Sequence, residues 1–541
     1  MIRNLLRKSF WLIKLIPGFL LWASFPPMGE KMDCLFALAP LLWFARTGGI
    51  DFRRRTHGTV DWPRPPSVAV RSAKLWFANG FFFWFATLAW MPAIVKNGGP
   101  WPLVVLGWGA LSAYCALYFA AFGYLSAQAW DWAKAGGYGR RLATLLVVAP
   151  VLWAGLELVR ARLFGGFAWN QLGVIPAVGG FGAPAAIGGV YLLSMVVVLI
   201  NGTVASIAER VLNPSRRNWA RSVETLLPFA MIWSIYSAAK TIDTCQIETE
   251  GYGESIPVAM VQRNFPCVFK GGDENPVEIY ESLLANVAPL QPKLVVLPES
   301  AYCEAGRIGS RNALEFSRWV CSQTGAKWVL AGGTRFEGRK EFNSAALYGF
   351  DPSDSMQTYD KVHLVPFGEY IPGDKWITSL QKLAPVGSCT AGELKTLDFD
   401  GVKLGVAICF EDTDSAQMRR LAKMGAQALV FITNDSWFSN SEEPIQHAWQ
   451  SVARSIETGL PVVRVGNSGV TGTITPWSRA TWLIDANGKP LVDESGTMFD
   501  RLPYYPESKV WTLYTCVGDA PLFAAFLTLL VAIGYAIARR S

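Results

Sequence analysis

Three polar residues stand at the ends of apolar runs in this 541-residue chain. Glu299 closes KLVVLPE (293–299) and Cys409 closes KLGVAIC (403–409). Lys361 lies in YDKVHLVPFGEYIP (359–372), with Glu369 eight residues further on. Phe410, Glu411 and Asp412 follow the cysteine directly. These types fit acyl transfer through a thioester. The thiolate is the reactive form of cysteine, and an ordinary Cys at neutral pH is mostly thiol. A carboxylate can take its proton, and an ammonium can stabilise the thiolate and a developing oxyanion. With three histidines in the chain, His57, His363 and His447, Glu and Lys are the natural substitutes for an imidazole. Each residue also has an ordinary alternative. A Cys at a strand end packs in a core, Glu299 after Pro298 caps a helix, and Lys361 is a solvated loop charge. His363 reads as structural.

The elements that must position these residues alternate between strand and helix. Short apolar runs lie at 256–262, 293–299, 327–333, 403–409, 428–435 and 461–467, with helical stretches at 276–287, 311–324, 415–424 and 444–458 between them. Buried strands flanked by helices predict a layered α/β domain, whose strand ends and following loops build the site. Segment 268–275 (VFKGGDEN) reads as loop. No internal repeat is evident.

That domain is only part of the chain. Hydrophobic residues make up 51% and charged residues 17%, mean hydropathy is +0.24, and there are 23 Trp. Such a composition excludes disorder, collagen and a small disulfide scaffold, and it points to a membrane protein with a large water-soluble part. Seven apolar stretches near 9–25, 33–46, 75–95, 101–129, 142–160, 184–206 and 225–240 read as spans, and 520–538 as an eighth. The first lacks a small-residue cleavage site and reads as an uncleaved anchor rather than a signal peptide. The expected domains are therefore 1–240 (about seven transmembrane helices), 241–519 (soluble) and 520–541 (a final helix and tail).

The net charge of +7 clusters between apolar stretches, which speaks for topology signals rather than nucleic acid. With the N-terminus inside, the cytoplasmic flanks collect nineteen basic residues, among them Arg3, Arg7, Lys8, Arg46, Arg53–Arg55, Arg140, Arg141, Arg216, Arg217, Arg539 and Arg540. The opposite flanks hold only Lys31, Lys96, Arg160, Arg162 and Lys240. The positive-inside rule then places both termini in the cytoplasm and 241–519 on the other side. Seven of the nine Cys (245, 267, 303, 321, 389, 409 and 516) fall in that block, without a CxxC pair. An oxidising compartment permits disulfides there, and free thiols fit equally. No metal-ligand cluster is apparent and no cofactor is expected. Glu157 beside Arg160, inside the fifth span, pairs structurally or shapes a lipid site.

Residues 254–503 resemble the nitrilase (carbon–nitrogen hydrolase) superfamily. Several motifs sharpen this to a resemblance to the apolipoprotein N-acyltransferase family: YDKVHLVPFGEYIP, AICFED, NDSWF (434–438), GNSGVT (466–471), PVLWAGLELVRARLFGGFAWNQLG (150–173) and GGVY (188–191). The resemblance covers nearly the whole chain. It implies an α-helical transmembrane bundle of about eight spans plus an αββα sandwich. It also implies Cys409 as nucleophile, Glu299 as general base and Lys361 as stabiliser of thiolate and oxyanion. Glu369 then helps position the lysine and the acyl carbonyl, and Glu411 is the acid two residues after the nucleophile. The Phe410 N–H is a candidate oxyanion donor by analogy with other nucleophile turns. Three positions depart from the family pattern. Phe410 stands where Tyr is frequent, and Gly271 ends QRNFPCVFKG (262–271) where the family has Trp. Gly466-Asn467-Ser468-Gly469 replaces the usual Asn-rich or Thr-Asn form.

The implied reaction moves an acyl chain from a phospholipid, with phosphatidylethanolamine the expected donor, through a Cys409 thioester. The acceptor is the α-amine of a diacylglyceryl apolipoprotein. The implied location is the bacterial inner membrane, with the catalytic domain periplasmic. Trp437 and Phe438 are interfacial anchors or ordinary loop aromatics. Two other readings compete. A membrane-tethered amidase would use the same three residues on a small carbon–nitrogen substrate. A non-catalytic scaffold or transport component would have kept only the fold.

Overall fold

The computed structural model describes residues 14–48, 67–212, 220–250, 254–265, 276–301, 307–351, 354–371, 389–476, 479–504 and 512–539. Several features of the sequence reading lie outside them: residues 9–13 of the first expected span, the flanking arginines at 3, 7, 53–55, 216, 217 and 540, the 268–275 loop and Gly271. The side chains of Cys245, Cys267 and Cys303 do so as well. The chain divides into two compact units, one of Met1–Ala89, Val105–Lys240 and Asp519–Ser541, the other of Trp90–Val104 and Thr241–Gly518.

The first unit is helical. Among the described residues four helices are long and apolar enough to cross a bilayer: Trp101–Ala135, Tyr138–Arg160, Ala185–Leu212 and Ala520–Ala538. The expected span at 33–46 is instead two short helices, Cys34–Ala37 and Ala39–Thr47, parted at Leu38 beside Pro40. Proline lacks the N–H that would continue the ladder, so a break falls there. Helices approach closely where glycine leaves room for an aromatic ring. A β-carbon on Gly123 would lie 2.6 Å from Cγ of Trp76, a contact no packed side chain tolerates. Several buried charged groups of this unit are hydrogen-bonded. Arg46 donates to Glu209 at 2.6 Å and Glu224 at 2.7 Å, and Ser206 also donates to Glu224. Glu157 accepts from the Leu172 N–H at 2.8 Å, and Arg160 donates to the carbonyls of Phe167 and Trp169. Both side chains thus hold the 163–173 loop, and both line a cavity with Trp84, Tyr118 and Trp153.

The second unit is an αββα sandwich. One sheet has the order β12-β1-β2-β3-β4-β5, with β1 Glu254–Gln262, β2 Leu294–Val296, β3 Trp328–Glu337, β4 Lys340–Gly349, β5 Gln357–Asp360 and β12 Gly496–Tyr504. The other has the order β11-β10-β9-β8-β7-β6, with β6 Thr396–Phe399, β7 Val402–Ile408, β8 Ala428–Thr433, β9 Val462–Gly466, β10 Gly472–Ile474 and β11 Ala480–Trp482. Each sheet is built on a parallel trio, β1-β2-β3 and β7-β8-β9, extended on both sides by antiparallel strands. No repeat is visible in the residues, yet the topology repeats.

Alternation explains the layers. Val258, Met260, Val296, Leu330, Val406, Ile408, Val430 and Val465 point into the space between the sheets and share one core. Their neighbours Ala259, Val261, Val295, Leu297 and Val329 face outward and pack with Leu284, Phe316 and Val320 of helices Pro276–Val287 and Arg311–Thr324. Helices Ser415–Lys423 and Glu443–Thr458 cover the other sheet. Each fully buried Val, Leu or Ile contributes about 1.5–3 kcal/mol relative to exposure. The second helix of the first pair is bounded by its own chemistry. The Ser310 hydroxyl accepts from the Ala313 N–H, and Gly325 at φ 73° ends the helix in a left-handed cap.

Candidate active site

Every residue singled out for chemistry sits at or after the carboxyl end of a strand in the second unit. Cys409 opens the tight turn Cys409–Thr413 directly after β7 and holds φ at 53°. Ser300, next to Glu299, is at φ 65°, and Phe367, two residues before Glu369, is at φ 62°. Non-glycine residues avoid this region at a cost of about 1–3 kcal/mol each, and such strain gathers at functional sites. Glu299 is set against the sheet by a missing side chain. A β-carbon on Gly332 of β3 would lie 2.6 Å from its Cα.

Hydrogen bonds join three of the carboxylate and ammonium groups. Lys361 Nζ donates to Glu369 Oε1 at 2.9 Å. Asn343 Nδ2, on β4, donates to Glu299 Oε1 and to Glu369 Oε1, both at 2.7 Å. The Val365 N–H holds the second oxygen of Glu369 at 2.8 Å. Lys361 itself is 1% exposed, and its own N–H is fixed by the Asn343 carbonyl at 2.8 Å.

The electrostatics follow from this packing. Burial alone works against the charge on Lys361, but the negative groups around it, Glu369 first, outweigh that and hold its pKa above the usual lysine value. Burial pushes Glu299 above the carboxylate range, Lys361 pulls it down, and Glu369 adds to the rise. Glu369 itself, although burial opposes its charge, is held below its ordinary value by Lys361 and its hydrogen bonds. Burial raises the Cys409 thiol well above its usual value. The field of Glu299 adds to the rise and that of Lys361 opposes it. The resting site therefore holds a thiol, a carboxyl group raised above its ordinary range and a fixed ammonium. Moving the proton from sulfur to Glu299 leaves the net charge of the buried group unchanged.

Glu411 ties this group to the Cys409 turn. Its carboxylate accepts from the N–H groups of Val362 (2.8 Å), His363 (3.0 Å) and Ile408 (2.8 Å), and from the Tyr359 hydroxyl. It is a fully buried brace between the Lys361 loop and the end of β7. The Phe410 carbonyl accepts from Thr413 Oγ1 at 2.8 Å, and its ring meets His363 edge-on at 5.5 Å. His363 is thus a packing residue at the rim of the turn.

A second buried network lies on the other side of the same turn. His447 binds Asp412 Oδ1 through Nε2 and Asp435 Oδ1 through Nδ1, each at 2.9 Å. Arg464 of β9 reaches the same two carboxylates at 2.5 Å and 3.3 Å. Asp435, Glu443 and His447 bring metal-ligand atoms within 4.8 Å of one another, a cluster the sequence did not reveal. Both imidazole nitrogens are already committed and a guanidinium spans the two aspartates, so the arrangement is that of an ion-pair network.

The expected residues are thus placed as follows. Glu299, Lys361 and Glu369 form one hydrogen-bonded group, Cys409 lies within its field, and Glu411 and Phe410 occupy the turn that presents the thiol. Sequence reasoning did not single out Asn343, Tyr359, His447 or Arg464. It quoted Asp435 within NDSWF without giving it a role, although an acid at the end of an apolar strand is the signal that flagged Glu299. Trp437 and Phe438 are held to segment 90–104. Phe438 packs edge-on against Trp90 at 4.7 Å, and Asn97 Nδ2 donates to the carbonyls of Ser436 and Trp437. Among the described residues the six cysteines 34, 115, 321, 389, 409 and 516 are free thiols.

Comparison with known proteins agrees with this anatomy. Residues 258–497 match the carbon–nitrogen hydrolase family model, and residues 17–203 match that of the apolipoprotein N-acyltransferase N-terminal domain. An apolipoprotein N-acyltransferase of Geobacter metallireducens is 30% identical, over 95% of this chain and 94% of that protein. One of Photobacterium profundum is 26% identical over 85% and 86%. Among solved structures, an amidase of the nitrilase superfamily from Nesterenkonia AN1 is similar at 16% identity with a TM-score of 0.35, over 47% of this chain and 93% of that one. With its full length matched by relatives of one kind, and with both halves carrying their domain models, the chain belongs to the apolipoprotein N-acyltransferase family.

Proposed function

We propose that this protein N-acylates apolipoproteins by a two-step reaction at Cys409, with a membrane phospholipid as acyl donor. Membership of the family makes it an acyltransferase of the membrane rather than a tethered amidase. The observation that carries the residue assignment is the buried Glu299–Asn343–Glu369–Lys361 group beside a strained cysteine turn.

In the first step Glu299 takes the thiol proton and the Cys409 sulfur attacks the sn-1 ester carbonyl of the donor, phosphatidylethanolamine. The oxyanion develops toward the Lys361 ammonium and backbone donors that include the Phe410 N–H. Collapse forms the thioester, and Glu299 returns its proton to the departing lysophospholipid alkoxide. In the second step the α-amine of a diacylglyceryl-cysteine attacks the thioester. Glu299 accepts one amine proton, the thiolate leaves, and the proton passes back to sulfur as the amide is released. Glu369 and Asn343 hold Lys361 and Glu299 in register throughout. Water must be kept from the thioester, or the enzyme becomes a phospholipase.

The membrane setting follows from the substrates. Each acyl CH₂ removed from lipid into water costs about 0.8 kcal/mol, so both partners are best met in the bilayer. Eight spans with both termini cytoplasmic and residues 241–519 in the periplasm are the topology that the loop charges support.

Intact mass spectrometry tests the chemistry. Wild-type protein incubated with phosphatidylethanolamine should gain one acyl chain that hydroxylamine removes, and a diacylglyceryl peptide should discharge it to an amide. Cys409→Ser should form no thioester. Failure of every phospholipid to acylate Cys409 would remove the nucleophile assignment.

A further inference from the structure

The His447 network is not used by the reaction as written, and its hydrogen bonds define its state. An ionised carboxylate only accepts, so an imidazole bonded to two of them must donate from both nitrogens and carry a positive charge. Three further groups surround it. Arg464 spans Asp412 and Asp435, Ser451 Oγ donates to Asp412 Oδ2 at 2.6 Å, and Thr433 Oγ1 donates to Asp435 Oδ2 at 3.1 Å. Glu443 approaches His447 Nδ1 at 3.8 Å, and burial followed by the field of Asp435 drives it toward its neutral acid form. Among Asp412, Asp435, His447 and Arg464 two anions meet two cations, and all four are almost completely buried.

Its position is what gives it a task. Asp412 lies three residues after Cys409 in the same tight turn. Asp435 heads the turn Asp435–Phe438 after β8. On one side of the nucleophile turn, Glu411 reaches the loop that bears Lys361. On the other side, Asp412 reaches His447 and through it Asp435. A residue held at φ 53° stays there only if its surroundings over-determine it.

We propose that His447, as an imidazolium bridging Asp412 and Asp435, is a positioning residue that holds the Cys409 turn in its strained conformation for attack on the acyl donor. Burial opposes its charge, but Asp412 and Asp435 prevail over that and over Arg464, raising its pKa to about 10. It therefore keeps its proton through the working pH range and does not act as a base. This inference rests on Cys409 being the nucleophile.

The test is single-turnover acylation of the full-length protein in phosphatidylethanolamine-containing nanodiscs, read by intact mass across a donor titration. Wild type is compared with His447→Gln and with the milder Ser451→Ala, which deletes the hydroxyl's hydrogen bonds to Asp412 and from Arg464 but no charge. His447→Gln should lower the maximal acylation rate about 100-fold, the size of effect that misplacing a reacting atom by about an ångström produces. The half-saturating donor fraction should stay within about threefold. Ser451→Ala should lower the rate about three- to tenfold. In wild type the His447 imidazole ¹⁵N shifts should report both nitrogens protonated at pH 8. Folded variants that acylate at the wild-type rate would overturn the proposal, as would an effect confined to half-saturation. Should His447→Gln not fold, an unchanged rate in Ser451→Ala overturns it. Absence of acylation in wild type instead removes the nucleophile assignment, and this proposal with it.

Discussion

The Cys409 turn stands between two buried charge groups that are built on opposite terms. On the side of the first sheet, Glu299 and Glu369 share one cation, Lys361, with Asn343 as a neutral bridge. On the side of the second sheet, Asp412 and Asp435 are matched by His447 and Arg464. The first group is one positive charge short. Its deficit leaves Glu299 basic and strengthens the hold on the Lys361 proton. In the second group each aspartate meets a cation, and both aspartates, despite burial, are held below their ordinary values by His447 and Arg464. Reactivity and rigidity thus come from the same ingredients in different stoichiometry. A balanced cluster fixes geometry, and an unbalanced one keeps a proton available.

This contrast can be attacked from both sides. The largest effect is expected for Cys409→Ala, with a loss of acyl transfer of about 10⁴-fold or more, since the covalent route is removed. Glu299→Gln should be nearly as inactive. Because it relieves the excess negative charge, its melting temperature in detergent should equal or exceed that of wild type. A clear loss of stability there would show that the first group is not the strained one.

Arg464→Leu addresses the other half. It leaves two buried carboxylates sharing one cation and should cost about 3–5 kcal/mol of stability, read by denaturant unfolding of the detergent-solubilised protein. A cost below about 1 kcal/mol would remove the distinction between the groups. Asn343→Ala is smaller, with an expected acylation rate about 10–50-fold lower at a nearly unchanged melting temperature, because two carboxylates lose a shared donor. A drop in stability without loss of rate would make Asn343 structural instead.

The pH dependences differ in sign. For activity, the acid limb of the acylation rate should lie above the ordinary carboxylate value, because Glu299 must be ionised and its pKa is raised. With the thiol also raised, the rate should not follow thiol ionisation below pH 9. For stability, His447 is raised from 6.5 to about 10. Its contribution is complete below about pH 6.5, declines as pH rises, and is gone above about pH 10. The depressed Asp412 and Asp435 contribute above their unfolded value and lose that contribution as pH falls. Melting temperature should therefore fall between pH 6.5 and 9.5, and His447→Gln should flatten that slope. An equal slope in both proteins would place the titrating group elsewhere.

Which parts were legible in the sequence follows from how strands are buried. All six apolar runs correspond to the two parallel trios, β1-β2-β3 and β7-β8-β9, and the four helical stretches correspond to the four covering helices. Parallel strands covered on both faces read as continuous Val, Ile and Leu. The six strands that escaped notice are the antiparallel additions. β4, KEFNSAALYG, is built from small and polar residues of weak strand propensity, although most of it is buried. Asn343 was hidden for that reason, since nothing marks KEFNSAALYG as a strand. His447 was hidden differently. A histidine on a helix carries no sign of the two aspartates, 35 and 12 residues earlier, that the fold brings to its ring. Glu299 and Cys409 were legible because each follows an unmistakable strand, and Lys361 because its motif carries a family resemblance.

Segment 90–104 changes what a soluble fragment of this enzyme would be. Trp90 donates to Gln446 and packs edge-on against Phe438, and Asn97 caps the carbonyls of Ser436 and Trp437. These residues precede Thr241 by well over a hundred positions, yet they complete the same unit. A gene trimmed to begin at Thr241 would encode both sheets, Glu299, Lys361 and Cys409 while omitting fifteen residues that finish the NDSWF turn. Supplying 90–104 as a separate peptide, or splicing it ahead of Thr241 through a flexible linker, is the way to give such a fragment its missing wall.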